Sequence, residues 1–159
     1  MKKAVHLLFG PPANQSDENC LLSLFFSAKG KHIVCGGATA KMAADYLGKE
    51  LKPSLTYESP EIPPIGEIEG VDLVTEGIFT MQKVFQYAKD LGANDLWQNR
   101  FDGASRIFKL LMEADEIYFY VGKAVNPAHV GNFYSKPELI KELSGNLRKT
   151  VKPIVIQCF

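Results

Sequence analysis

Apolar positions along this chain follow two rhythms that take turns. Compact runs rich in β-branched and aromatic residues, over residues 3–9, 32–35, 71–74, 117–121 and 153–158, read as buried strands. Between them apolar side chains recur every three or four residues, the spacing of one helix face. Leu21, Leu22, Leu24, Phe25 and Ala28 form the first such set, and Met42, Ala43, Tyr46 and Leu47 the second. Val84, Phe85, Ala88 and Leu91 form the third, Ala104, Ile107, Phe108 and Leu111 the fourth, and Leu139, Ile140, Leu143 and Leu147 the fifth.

Punctuation agrees with this division. A hydroxyl at Ser16 is placed to cap the first helix, with Asp17 and Glu18 favouring its positive end, and Gly30, Gly48 and Gly92 read as stops. The second helix is expected from about Ala38, the fourth after a cap at Asp102, and the fifth after the capping box Ser135-Lys136-Pro137-Glu138. Residues 55–57 are a weaker strand candidate, residues 59–66 a stiff proline-rich loop, and residues 93–101 an irregular polar stretch. Strand runs separated by amphipathic helices predict one α/β domain over residues 1–159. Its architecture is three-layer, a mostly parallel sheet of five or six strands with helices on both faces, Rossmann-like or flavodoxin-like.

Composition narrows the function classes. The 159 residues are 46% apolar, enough for a core of ordinary size. Eighteen basic residues balance eighteen acidic ones without a run of four like charges, so the cationic footprint that nucleic acid requires is missing. Met1-Lys2-Lys3 opens like a signal peptide, but the apolar run behind it is short, contains His6 and ends at Gly10-Pro11-Pro12. With no membrane-length apolar stretch, a cytoplasmic protein without a membrane partner is expected. Cys20, Cys35 and Cys158 are odd in number and far apart, the pattern of reduced thiols rather than of a disulfide framework, redox pair or metal site.

The most suggestive stretch is His32-Ile33-Val34-Cys35-Gly36-Gly37-Ala38-Thr39, a strand that breaks at two glycines and a threonine before a helix. Such a turn can hold an anion on backbone N–H groups backed by the helix dipole. In an open parallel sheet the ligand crevice lies beyond the carboxyl ends of the strands. That rule gathers Gly10 and Asn14, then Gly36, Gly37 and Thr39, then Thr75, Glu76 and Gly77, then Gly122, Lys123, Asn126 and His129 onto one rim. Each has two readings. The glycines allow a ligand to approach the backbone or simply shape turns; Thr39 offers a hydroxyl to a ligand or caps its helix. Glu76 accepts from a ligand hydroxyl or favours the next helix dipole, Lys123 supplies charge or is a solvated loop lysine, and His129 is a general base or pins its loop. No Gly-x-x-x-x-Gly-Lys phosphate loop, Gly-x-Ser-x-Gly elbow or His-Glu-x-x-His zinc motif occurs, and the third glycine of the dinucleotide fingerprint is missing.

Several segments in order resemble a known family. Gly10-Pro11-Pro12 before an acidic helix start, Ile33 through Thr39, Pro63-Pro64 with Ile68 through Gly77, and Ala114 through Ile117 with Val121 through His129 resemble the C-terminal region of bacterial serine/threonine phosphatases of the stage II sporulation protein E type. The resemblance spans about Gly10 to His129. It implies an accessory domain, cut from a longer protein or encoded alone, because catalysis in that family resides in an N-terminal domain whose aspartates bind two divalent cations. Asp102-Gly103 has no companion aspartates and is not carried over as a metal element, and Ala38 stands where the family's pattern would place a second hydroxyl.

The leading expectation is therefore a non-catalytic regulatory domain in bacterial signalling. It would bind a small anionic ligand or a partner at the strand-end rim, in cis or in trans with a phosphatase catalytic domain, with no catalytic or metal residues and no named cofactor. A freestanding enzyme acting on a phosphorylated or nucleotide substrate, with Glu76 and Lys123 as its working groups, is the alternative. The second alternative is a protein-interaction module whose glycines are purely structural.

Overall fold

The computed structural model describes residues 3–53, 66–90, 98, 102–125, 135–150 and 152–159. Asn126, His129, the strand candidate at 55–57, nearly all of the proline-rich segment, Gly92 and most of residues 93–101 lie outside them. The order of elements is β1 (Ala4–Phe9), α1 (Glu18–Ser27), β2 (Lys31–Cys35), α2 (Gly37–Leu47), β3 (Lys52–Pro53), β4 (Gly66–Glu67), β5 (Leu73–Thr75), α3 (Ile78–Lys89), α4 (Gly103–Glu113), β6 (Glu116–Val121), α5 (Lys136–Leu147) and β7 (Ile154–Cys158). They form a three-layer α/β fold around one sheet ordered β3-β4-β5-β2-β1-β6-β7. The five strands from β5 to β7 run parallel; β3 and β4 are two-residue antiparallel additions that the apolar pattern does not announce. Among the described residues no helix is long and apolar enough to cross a membrane.

Central strand β1 fixes the frame. It pairs with β2 from Val5 opposite Lys31 to Phe9 opposite Cys35, and with β6 from Ala4 opposite Glu116 to Phe9 opposite Val121. Side chains alternate across the sheet, so the compact apolar runs feed two cores. Leu7, Phe9, Ile33, Cys35, Phe119 and Val121 pack against α3, α4 and α5, whereas Leu8, Val34, Val74 and Tyr120 pack against α1 and α2. The run Tyr118-Phe119-Tyr120 is thus core, although Tyr118 keeps partial exposure.

Helix ends show where local chemistry decides and where it does not. Ser16 does not cap α1 as expected: a short 3₁₀ turn, Gln15–Asp17, precedes the helix, and no side chain caps it. Asp102 does cap α4. Its buried carboxylate accepts from Ser105 N at 2.7 Å and from Lys83 Nζ at 3.4 Å, while Ser105 Oγ donates to Asp102 O at 2.9 Å. At the other end of α4, Lys152 Nζ donates to the Leu111 and Met112 carbonyls at 3.0 and 2.9 Å, placing positive charge where the dipole favours it.

Against α1, a polar cluster interrupts the apolar interior. His6 is buried and stacked on His32 and Tyr118, with ring centroids 5.4 and 4.8 Å away. Its Nε2 lies 3.0 Å from the Lys29 carbonyl, which can only accept, so Nε2 carries the proton and Nδ1 accepts from Tyr120 Oη at 2.9 Å. Burial holds the His6 pKa below the ordinary imidazole value, His32 adds to that effect, and the Lys29 carbonyl and Glu116 oppose it.

Two measurements follow from these contacts. Asp102→Ala should cost about 1–2 kcal/mol, seen as a lower urea midpoint at unchanged slope, and Asp102→Asn should cost much less because it keeps the cap. For His6 the unfolded chain takes up a proton at higher pH than the folded one. The stability it contributes is therefore complete above about pH 6.5 and is lost as pH falls from there through the lowered native value. Urea midpoints from about pH 8 to pH 5 should fall in that window, and His6→Leu should be less stable overall with a shallower fall; an unchanged fall would show that His6 is not its source.

Candidate functional site

The carboxyl ends of β1, β2 and β5 open onto a cavity of about 420 Å³. Strand order reverses between β1 and β6, the place where a crevice normally opens in such a sheet. Here the backbone fills it. Gly122 N donates to Phe9 O at 2.9 Å and Ala124 N to Pro11 O at 3.1 Å, while the Phe159 carbonyl accepts from Ala13 N and Lys123 N. Gly122 has no side chain for a steric reason: a Cβ there would overlap the Gly10 and Pro11 carbonyls. The opening is displaced toward α3 and α5, and its wall includes Phe9, Gly10, Pro11, Cys35, Ile78 and Val125.

Three helices begin at this cavity, and they end their backbones differently. At α3, the Glu76 carboxylate accepts from Thr80 N at 3.0 Å and from Thr80 Oγ1 at 3.2 Å, so it serves the helix start, the plainer of its two expected roles. At α5, Ser135 Oγ accepts from Glu138 N at 3.3 Å. At α2, Gly36 is the N-cap, with φ +115° and no side-chain cap. The Gly37, Ala38 and Thr39 N–H groups find no acceptor among the described residues. Gly36 and Gly77 also meet closely, since a Cβ on Gly77 would lie 3.1 Å from Gly36 Cα.

Of the residues expected on the rim, Gly10, Gly36, Gly37, Thr39, Glu76, Gly77 and Lys123 line the cavity; Asn14, Thr75 and Gly122 do not. Thr75 is buried and its Oγ1 donates to the Glu76 carbonyl at 2.9 Å, and Asn14 is exposed in the β1–α1 loop, where its carbonyl accepts from Asp17 N. Thr39 is not the helix cap: its hydroxyl, 1% exposed, accepts from Gly10 N at 3.0 Å and ties the β1 turn to α2. Asn126 and His129 fall outside the described residues.

The cation that sequence reasoning overlooked is Lys136. It follows the α5 cap, is half-buried, and carries its Nζ 6.0 Å over the Phe9 ring with its stem against Gly10. Its signal is a lysine at the second position of a capping box, the first residue of the helix after a strand-end loop, which reads locally as helix chemistry alone. Burial lowers its pKa, and among the described residues it has no carboxylate partner. Cys35, at the base of the cavity, is a neutral thiol, pushed up to about 12 by complete burial. Among the described residues no three His, Cys, Asp or Glu side chains come together in a metal-binding group.

Comparison with protein-family models, with curated proteins and with solved structures gave no match.

The glycines separate by role. Gly122→Ala should cost about 3 kcal/mol or more, because backbone carbonyls must move. Gly37→Ala has open space around its Cβ and no positive φ, so it should be neutral or stabilise by up to about 1 kcal/mol. Denaturant titration of both variants distinguishes the backbone-clamping glycine from the one that faces empty space.

Proposed function

We propose that this chain is a small-ligand-binding regulatory domain whose strand-end cavity takes an anion. The observation that carries this reading is the joining, in one cavity, of an uncapped helix start at Gly37 to Thr39 with two lysines that have no acidic partner among the described residues, Lys123 and Lys136. Backbone N–H groups there retain hydrogen-bonding capacity, and the dipole favours negative charge. Apolar walls exclude water and strengthen both effects. Against a hydrolytic or nucleophilic role stand the Glu76 carboxylate, committed to Thr80, and the Cys35 thiol, held neutral.

The resemblance of the sequence to the accessory region of sporulation-type serine/threonine phosphatases supports a regulatory role, with a phosphatase catalytic domain as the partner, in cis or in trans. In that arrangement ligand occupancy alters how the domain meets the catalytic unit.

A thermal-shift screen of nucleotides, phosphorylated metabolites and simple carboxylates tests the binding step. A ligand present at about one hundred times its Kd adds roughly 2.7 kcal/mol, a rise of about 5–10 °C for a domain of this size. Gly37→Val places a branched side chain in the cavity without crowding the fold, so it should keep the unliganded melting temperature and abolish the rise. If none of these acids stabilises the protein, or if Gly37→Val responds like the wild type, the cavity is not the site and an interaction module becomes the better reading.

A further inference from the structure

Resting on that anion-site reading, we propose that the cavity takes a compact phosphate monoester as its dianion, with the ester's apolar group lying against Phe9 and Ile78. Three features set the charge. Lys123 and Lys136 both line the cavity, and neither is in either of the ion pairs found among the described residues, Lys49 with Glu69 and Lys83 with Asp102. Glu76 is the one carboxylate among the described lining residues, and its charge is already shared with the Thr80 N–H and hydroxyl. The start of α2 adds roughly half a positive charge. The described part of the wall is thus positive by more than one unit, so a single negative charge leaves an excess there that a second one neutralises.

Lys136 sharpens the preference. Its ammonium lies over the Phe9 ring on a half-buried side chain with no counter-ion among the described residues, a placement that burial disfavours, as its lowered pKa reflects. Offsetting that cost is worth more the greater the charge brought beside it. Size and lining set the rest of the ligand: about 420 Å³ suits a ring-sized organic group with one phosphate, and Phe9, Ile78 and Val125 offer it apolar contact. Of the other described lining groups, Cys35 stays a thiol and Ser135 is a hydroxyl, so neither changes charge near neutrality.

Phenyl phosphate and phenyl sulfate share a shape and differ by one charge at neutral pH, which makes them the probes. Calorimetry on the full chain at about pH 7.5 should show phenyl phosphate binding at least tenfold tighter than phenyl sulfate, and tighter than inorganic phosphate. At about pH 5, below the second phosphate pKa of roughly 6, the advantage over sulfate should disappear, while sulfate affinity itself reports any change in the protein. Lys136→Met keeps the stem's bulk and should weaken phenyl phosphate about tenfold and collapse the discrimination, whereas Lys136→Arg should retain it. Equal affinity for the two esters at both pH values would overturn the dianion preference and leave the anion site standing. Inorganic phosphate binding as tightly as phenyl phosphate would overturn the apolar half. Failure of every acid, these probes included, would remove the anion site and this inference together.

Discussion

A backbone-to-backbone contact at the centre of the sheet governs the rest of this structure. The chain leaving β6 at Gly122 lies so close to the Gly10 and Pro11 carbonyls that no side chain fits between them. That closeness lets Gly122 and Ala124 hydrogen-bond to the β1 turn, and the C-terminal Phe159 carbonyl holds the same loops from the β7 side. The usual crevice at the reversal of strand order is thereby replaced by protein. What remains open is the space above Phe9 and Cys35, on the side of the sheet covered by α3, α4 and α5.

Displacing the opening changes which groups meet in it. A crevice directly between β1 and β6 would be walled chiefly by their two loops; the displaced one borders the starts of α2, α3 and α5. Their different caps determine its electrostatic character. Glu76 and Ser135 each accept from one N–H at the start of their own helix, whereas among the described residues nothing accepts from the first N–H groups of α2, so open donors and two lysines outside any described ion pair face the same volume. A positive wall without a described counter-charge is costly where water is partly excluded, and that cost is the physical basis of the proposal that an anion rather than a neutral ligand binds there.

The buried His6, His32 and tyrosine cluster belongs to the other core, under α1 and α2, and makes a separate polar commitment. Its hydrogen bonds are internal, with Lys29 and Phe25 carbonyls as acceptors, so it ties α1 and the turn after it to β1 and β2. The acid sensitivity expected of His6 thus lies on one face of the sheet, and the cavity opens on the other.

Much of the architecture was legible in the sequence because it rests on short-range periodicity. Alternating strand runs and helical spacings identified the five parallel strands and the five α-helices found among the described residues, and Asp102 and Ser135 announced caps that bond three residues ahead. The strand-end rule also placed Gly36, Gly37, Thr39, Glu76, Gly77 and Lys123 near one another. Other outcomes depended on neighbours distant in sequence. The Thr39 hydroxyl binds Gly10 N, 29 residues away, Lys136 reaches Phe9, and Gly122 meets Pro11 only because β6 enters the sheet beside β1. Hydrophobic period encodes which face of an element is buried, not which element it is buried against; strand order supplied that second fact, and with it the sealed crevice, the shifted cavity and the lysine that α5 brings to it.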